Sequence, residues 1–253
     1  MVELAVTPSQ RSWDASQRRY WSSLASNYDS LYESAWSQAE NDWVAERLAF
    51  LRGRRSPRIL DLGCGTGLGA ELARRWTDLE GYTGVDISPT MTALTTARYR
   101  VDTRVGSMDD LQWVPDESVD AVIALFSSIS FAASVTTLLA EVARVLRPGG
   151  RAYLSALGRD FAAQPAETSF KTRGWRSHRA CVPAHRFRPH HLSEAAHAVG
   201  LVDVQVTGMN SLAGVLEAPR LWWVGAAIAA RWPSSSHLLE LTCAAPSPAN
   251  RQE

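Results

Sequence analysis

The stretch Ile59-Leu60-Asp61-Leu62-Gly63-Cys64-Gly65-Thr66-Gly67 constrains this chain more than any other part of it. A short apolar run follows Pro57 and breaks into three glycines spaced two apart, after which Leu68 to Trp76 has the pattern of a helix. Strand, glycine loop and helix follow one another without a spacer. Glycine is needed where the backbone turns with positive φ, and where no Cβ can stand between main-chain N–H groups and a ligand. The loop therefore reads as presenting amide donors to something small and polar at a helix N-terminus.

The same grammar repeats downstream. Tyr82 to Asp86 reads as a second strand, and Ser88-Pro89 supplies an N-cap and a first-turn proline for a helix through Arg98. A third strand and its exit loop are expected over Thr103 to Leu111. Ser118 to Leu125 is nearly all apolar, as a central parallel strand should be. Val135, Leu138, Leu139, Val142 and Leu146 mark a helical face after a Ser134 cap, and Arg147-Pro148-Gly149-Gly150 reads as a turn before a fifth strand from Arg151 to Ala156. Alternation of this kind predicts a doubly wound α/β sheet with ligands beyond the C-terminal strand ends.

Spacing alone leaves the ligand open. Gly65-x-Gly67-x-x-Ala70 fits the relaxed dinucleotide fingerprint, and Asp86 stands where its ribose acid belongs. Asp61 argues otherwise: a carboxylate beside the loop would repel a pyrophosphate and favour the ammonium and sulfonium of S-adenosylmethionine. Asp61-Leu62-Gly63-Cys64-Gly65-Thr66-Gly67 resembles the first motif of class I S-adenosylmethionine-dependent methyltransferases, and Leu146 to Leu154 resembles a turn of the same family. The likeness covers roughly residues 20 to 156. Leu125-Phe126-Ser127-Ser128-Ile129 is similar, more narrowly, to the aminosugar N-methyltransferases of that family.

The resemblance implies a Rossmann-like sheet of about seven strands, the last antiparallel, and S-adenosylmethionine as cofactor. It implies a cofactor site of Asp61, Gly63, Cys64, Gly65 and Gly67, with Asp86 and Ile87 at the sugar, Ser107 and Met108 at the adenine, and Leu125 beside them. Family members often carry an acid where Ser107 stands; the hydroxyl can still accept, or Asp109 can substitute. Aromatic residues at near-helical spacing between Ser16 and Ala35 resemble a lid segment, which makes Tyr28 a cofactor-wall residue and Tyr32 a substrate-side one. Packing of that helix on the core is the competing reading. Phe126, after the fourth strand, is the other substrate-side candidate.

Further along, residues 171 to 191 hold Lys171, Arg173, Arg176, Arg179, Arg186 and Arg188 and four histidines without one acid. Such a run is either a solvated face or, through Arg176 and Arg179, a grip on an anionic acceptor. If a general base is used, His178 and His185 are the candidates; an amine acceptor needs none. Residues 1–52 are thus expected to form a tail and helical lid, 53–243 the catalytic core with a basic substrate loop at 161–191 and an insertion at 207–236, and 244–253 a flexible tail. The insertion, with Trp222-Trp223, suits a second lid or a homodimer contact.

Composition excludes more than it selects. Formal net charge is zero, which argues against a broad nucleic-acid footprint, and no apolar run is long enough to span a membrane. The three cysteines are far apart without metal-ligand spacing, so a reduced, cytoplasmic setting and no metal are expected. The first fourteen residues lack the apolar core of a signal peptide and read as unstructured. Methyl transfer to N or O of a small secondary metabolite is the preferred function. A methyltransferase acting on RNA or protein, and a non-catalytic or NAD-binding protein, are the alternatives.

Overall fold

A computed structural model describes residues 10–158, 167–171, 181–210 and 238–247. Its centre is a seven-stranded sheet in the order β3-β2-β1-β4-β5-β9-β8. The strands are β1 (Ile59–Leu62), β2 (Tyr82–Asp86), β3 (Asp102–Val105), β4 (Val119–Ala124), β5 (Leu146–Leu157), β8 (Val202–Asn210) and β9 (Leu238–Ala244). β1 to β5 pair in parallel, whereas β9 runs antiparallel between β5 and β8. Every residue of β1 and β4 is buried, because helices cover both faces and no strand position is left to water.

On one face, α5 (Val135–Val145) and α6 (Pro189–Ala198) insert Leu138, Leu139, Val142 and Leu192 over β4 and β5. On the other, α2 (Ala35–Arg47) and α3 (Leu68–Ala73) bring Val44 and Leu72 against Ile59, Ile123 and Tyr153. The predicted caps form: Ser134 Oγ accepts from the Thr137 amide at 3.2 Å, and Ser88 Oγ from the Met91 amide at 3.3 Å at the start of α4 (Pro89–Tyr99). The first strand therefore ends at the middle of the sheet, where the order reverses on either side of it. That is where an open α/β sheet binds its ligands.

Five local expectations need correction. Helix α1 (Gln10–Leu24) begins inside the segment expected to be unstructured, because Trp13, Gln17 and Tyr20 are buried along one side of it. Arg147 to Gly150 is not a turn outside the sheet: β5 starts at Leu146, opposite Val119, and the extra residues bulge out before Arg151 pairs with Ala121. The tail does not fray from residue 244, since Ala244 pairs in β9 and Ala245 is buried with its amide bonded to the Gly150 carbonyl at 2.9 Å.

Finally, the basic loop contains a hairpin of β6 (Glu167–Lys171) and β7 (Cys181–His185), which packs against α1. The insertion is shorter than expected, because residues 207 to 210 extend β8; the Trp222-Trp223 segment lies outside the described residues. No helix among the described residues is long and apolar enough to cross a membrane.

Candidate active site

The loop after β1 bends through three left-handed glycines, Gly63 (φ 73°), Gly65 (φ 55°) and Gly67 (φ 101°). Its amides do not point into open space as expected. Those of Gly63 and Cys64 donate to the Val85 carbonyl at 2.7 and 3.0 Å, that of Gly65 to Asp86 Oδ2 at 2.9 Å, and that of Gly67 to the Cys64 carbonyl at 2.9 Å. The loop is thus stitched to the end of β2, and its glycines serve close approach rather than donation. A pyrophosphate would find these four donors already engaged.

Carboxylates stand around the loop instead. Asp61, at the end of β1, is 1% exposed and accepts from the Tyr82 hydroxyl through Oδ2. Gly69 in the first turn of α3 lies so close that a Cβ there would come within 2.0 Å of Asp61 Oδ2. Burial pushes the Asp61 carboxyl up to about 7, against the Tyr82 hydrogen bond and with help from Asp86. Asp86 is pushed up by burial to about 6, against hydrogen bonds from the Ser88 and Gly65 amides. Both acids are held where a cation would restore their charge.

These residues line a cleft of about 880 Å³, open mouth included. Of the sequence candidates, Asp61, Gly63, Cys64, Gly65, Asp86, Ile87, Ser107, Met108, Leu125, Tyr28 and Phe126 all border it, brought together from five separate segments. Gly67 does not border it; packing explains this glycine, through its φ and through the Tyr99 ring, which a Cβ there would approach to 2.4 Å. Tyr32 sits at the rim, 40% exposed, with its ring 5.2 Å from Tyr28 and 6.5 Å from Phe126. Phe126 and Ser127 are consecutive residues at positive φ (49° and 70°), a strained turn of the kind found at functional sites.

The two histidines fare differently. His178 lies outside the described residues, as do Arg176 and Arg179. His185 is on β7 and does not border the cleft: its ring stacks on Trp13 at 4.7 Å, and Nε2 lies 3.3 Å from the Ala133 carbonyl. It holds α1 in place. Asp109 is also spent on structure, with Oδ2 accepting from the Ala133 and Ser134 amides at 3.0 and 3.1 Å.

Sequence reasoning missed the contribution of α1, which sends Asp14, Gln17 and Trp21 to the cleft, and that of Phe131. The signal was the recurrence of Trp13, Gln17 and Trp21 every four residues. Gln17 is oriented by donating to the Pro183 carbonyl at 2.7 Å and accepting from Trp21 Nε1 at 3.0 Å. Beyond α1 the chain continues in two short 3-10 turns, and Asp29 latches the second to the loop. Thr66 Oγ1 donates to Asp29 Oδ1 at 2.5 Å, and Arg98 pairs with Oδ2 at 2.5 Å. Asp29→Ala should speed S-adenosylhomocysteine dissociation about two- to fivefold, the scale of an exposed ion pair, in stopped-flow displacement.

A methyltransferase-domain family model matches residues 60–154, the segment from β1 through most of β5 that carries the loop, both carboxylates and the β4 exit. Over that segment the chain resembles the class I S-adenosylmethionine-dependent methyltransferases, and its fold is theirs. S-adenosylmethionine is the cofactor of that family, and the engaged amides and buried acids of this chain fit its cationic amino-acid end better than a dinucleotide.

The ubiquinone biosynthesis O-methyltransferase of Xanthomonas oryzae pv. oryzae is 33% identical over 128 residues, covering 48% of this chain and 50% of that protein. An O-methyltransferase of Aspergillus nomiae is 34% identical over 121 residues, covering 45% and 51%. The chain spans about half the length of the curated relatives it matches. Among solved structures, the 1,6-didemethyltoxoflavin-N1-methyltransferase of Burkholderia thailandensis superposes with a TM-score of 0.59 over 96% of this chain and 93% of that one, at 18% identity. The [4+2]-cyclase SpnF superposes with a TM-score of 0.58 at 20% identity, covering 85% and 84%. At such identities the likeness is one of fold.

Proposed function

We propose that this protein transfers the methyl group of S-adenosylmethionine to a nitrogen or oxygen atom of a small molecule, in secondary metabolism. One observation carries the reading: two buried acids with raised pKa values flank a glycine loop, four of whose amides are engaged, beneath an aromatic lid. Bound S-adenosylmethionine supplies a sulfonium methyl whose departure leaves a neutral thioether. What remains for the chain is to bind, orient and exclude water.

Trp21, Tyr28, Phe126 and Phe131 wall the cleft with aromatic surface, which removes water from the reacting atoms. Proton transfer is less well provided for. Burial pushes the Tyr28 phenol and the Cys64 thiol well up, so neither ionises at neutral pH, and no histidine borders the cleft among the described residues. That favours an acceptor arriving as a free amine, which needs no base. The basic run favours an anionic acceptor, with Arg176 and Arg179 as its grip, and the insertion beyond the end of β8 is the proposed contact of a homodimer.

The test is calorimetry with S-adenosylhomocysteine against NAD, followed by a mass-spectrometric screen of candidate acceptors for products heavier by one CH₂. Binding of NAD in place of the homocysteine nucleotide would sink the reading. Binding without any methylated product would instead align the protein with non-methylating users of the fold.

A further inference from the structure

We propose that Asp14, on helix α1, supplies the carboxylate that recognises the exocyclic amine of the cofactor's adenine, so that the base is read by the lid and not by the core. The inference rests on S-adenosylmethionine as the ligand of this cleft. It starts from the order of the strands: the cleft runs from Asp61 on β1 past Asp86 on β2 to Gly106, Ser107 and Met108 after β3. With the amino-acid end at Asp61 and the sugar at Asp86, the base falls at the third strand.

That end of the core offers no free carboxylate of its own. The Ser107 hydroxyl has one proton and gives it to Asp109 Oδ1, 2.5 Å away. Asp109 in turn is saturated: Oδ1 also takes Gln10 Nε2 at 3.2 Å, and Oδ2 takes two amides at the start of α5. Asp109 does not border the cleft.

Asp14 does. It lines the cleft together with Gly106, Ser107 and Met108. Its Oδ1 accepts from Gln10 Nε2 at 3.1 Å and lies 3.5 Å from Ser107 Oγ, while no hydrogen bond among the described residues engages Oδ2. A partly desolvated carboxylate oxygen without a donor is a cost that a ligand N–H would remove. Burial and the neighbouring Asp109 push the Asp14 carboxyl up, against the Gln10 and Ser107 hydrogen bonds and the nearby Arg18 charge. Gln10 ties Asp14 to Asp109, which fixes the helix bearing the acid against the loop after β3. The flat ring itself would lie among Ile87 and Met108, side chains that suit an apolar face.

The experiment measures a ratio, which cancels general damage to the fold. Dissociation constants of S-adenosylhomocysteine and S-inosylhomocysteine, in which the amine is replaced by an oxo group, are determined for each protein. Wild type should prefer the adenosyl ligand by about tenfold or more, the scale of one hydrogen bond to a charged group. Asp14→Ala should bring the two ligands near parity, and Asp14→Asn, which offers an N–H to the oxo group, should reverse the order. Asp109→Asn should leave the ratio as in wild type.

An unchanged ratio in both Asp14 variants, or its collapse in Asp109→Asn, would overturn the proposal. Failure of the wild type to bind either nucleotide would overturn the cofactor reading with it. Because the first case requires a wild type that binds, the two failures are distinguishable.

Discussion

Valine at position 65 should abolish measurable binding of S-adenosylhomocysteine, by roughly 100-fold or more, while the protein still folds. A Cβ on Gly65 would meet no protein atom nearer than the Gly63 carbonyl oxygen at 3.9 Å, so the interior does not resist the side chain. The space it would fill belongs to the cleft. The φ of 55° adds backbone strain of about 1–3 kcal/mol, which a domain of ordinary stability survives. Alanine at Gly69 is the instructive contrast. Its Cβ would stand 2.0 Å from a buried oxygen of Asp61, so that variant should lose stability as well as affinity. Thermal melting alongside calorimetry separates the two, and a folded Gly65→Val protein that keeps its affinity would refute the loop assignment.

The contrast also marks what could be read from the chain and what could not. β1 and β4 were legible because strands buried on both faces must be apolar throughout, and Ile59 to Leu62 and Val119 to Ala124 are so except at Asp61 and Asp120. Those exceptions have partners: Asp61 meets Tyr82, and Asp120 Oδ2 accepts from the Arg58 amide at 2.8 Å. The start of helix α1 was hidden, although a helix was expected from Ser16 on, and its buried face includes Gln17, a polar residue whose burial depends on the Pro183 carbonyl 166 positions away. No local pattern announces such a partner.

The glycine loop shows the same division. That it bends was evident from residue types, but where its amides go depends on β2 packing alongside, through Val85 and Asp86. Asp109 looked available because sequence shows acids and not their engagements. Asp14 looked like tail. The bulge at Pro148 to Gly150 carries turn residues for good reason, yet only the pairing of Val119 with Leu146 reveals that the ladder has already begun.

Asp61 provides the second large effect, and it is a pH effect. In the free protein its carboxyl titrates at about 7, chiefly through burial. A ligand ammonium prefers the carboxylate, so binding releases a proton; affinity should rise about tenfold per pH unit below 7 and level off above it. Asp86, at about 6, steepens the lower part of the curve. Asp61→Asn should weaken S-adenosylhomocysteine by roughly 10- to 150-fold at pH 8, the loss of a charged hydrogen bond, and flatten the profile between 6 and 7.

Stability moves the other way. An acid whose folded pKa lies above its unfolded value of about 4 favours the fold below that value, and the advantage is lost as pH rises through 7. The ligand-free Asn variant, which keeps an acceptor for the Tyr82 hydroxyl, should therefore lose less stability than wild type between pH 4 and 7. Calorimetric titrations and melting curves across that range check both halves. A wild-type affinity independent of pH would show that Asp61 does not face the cation.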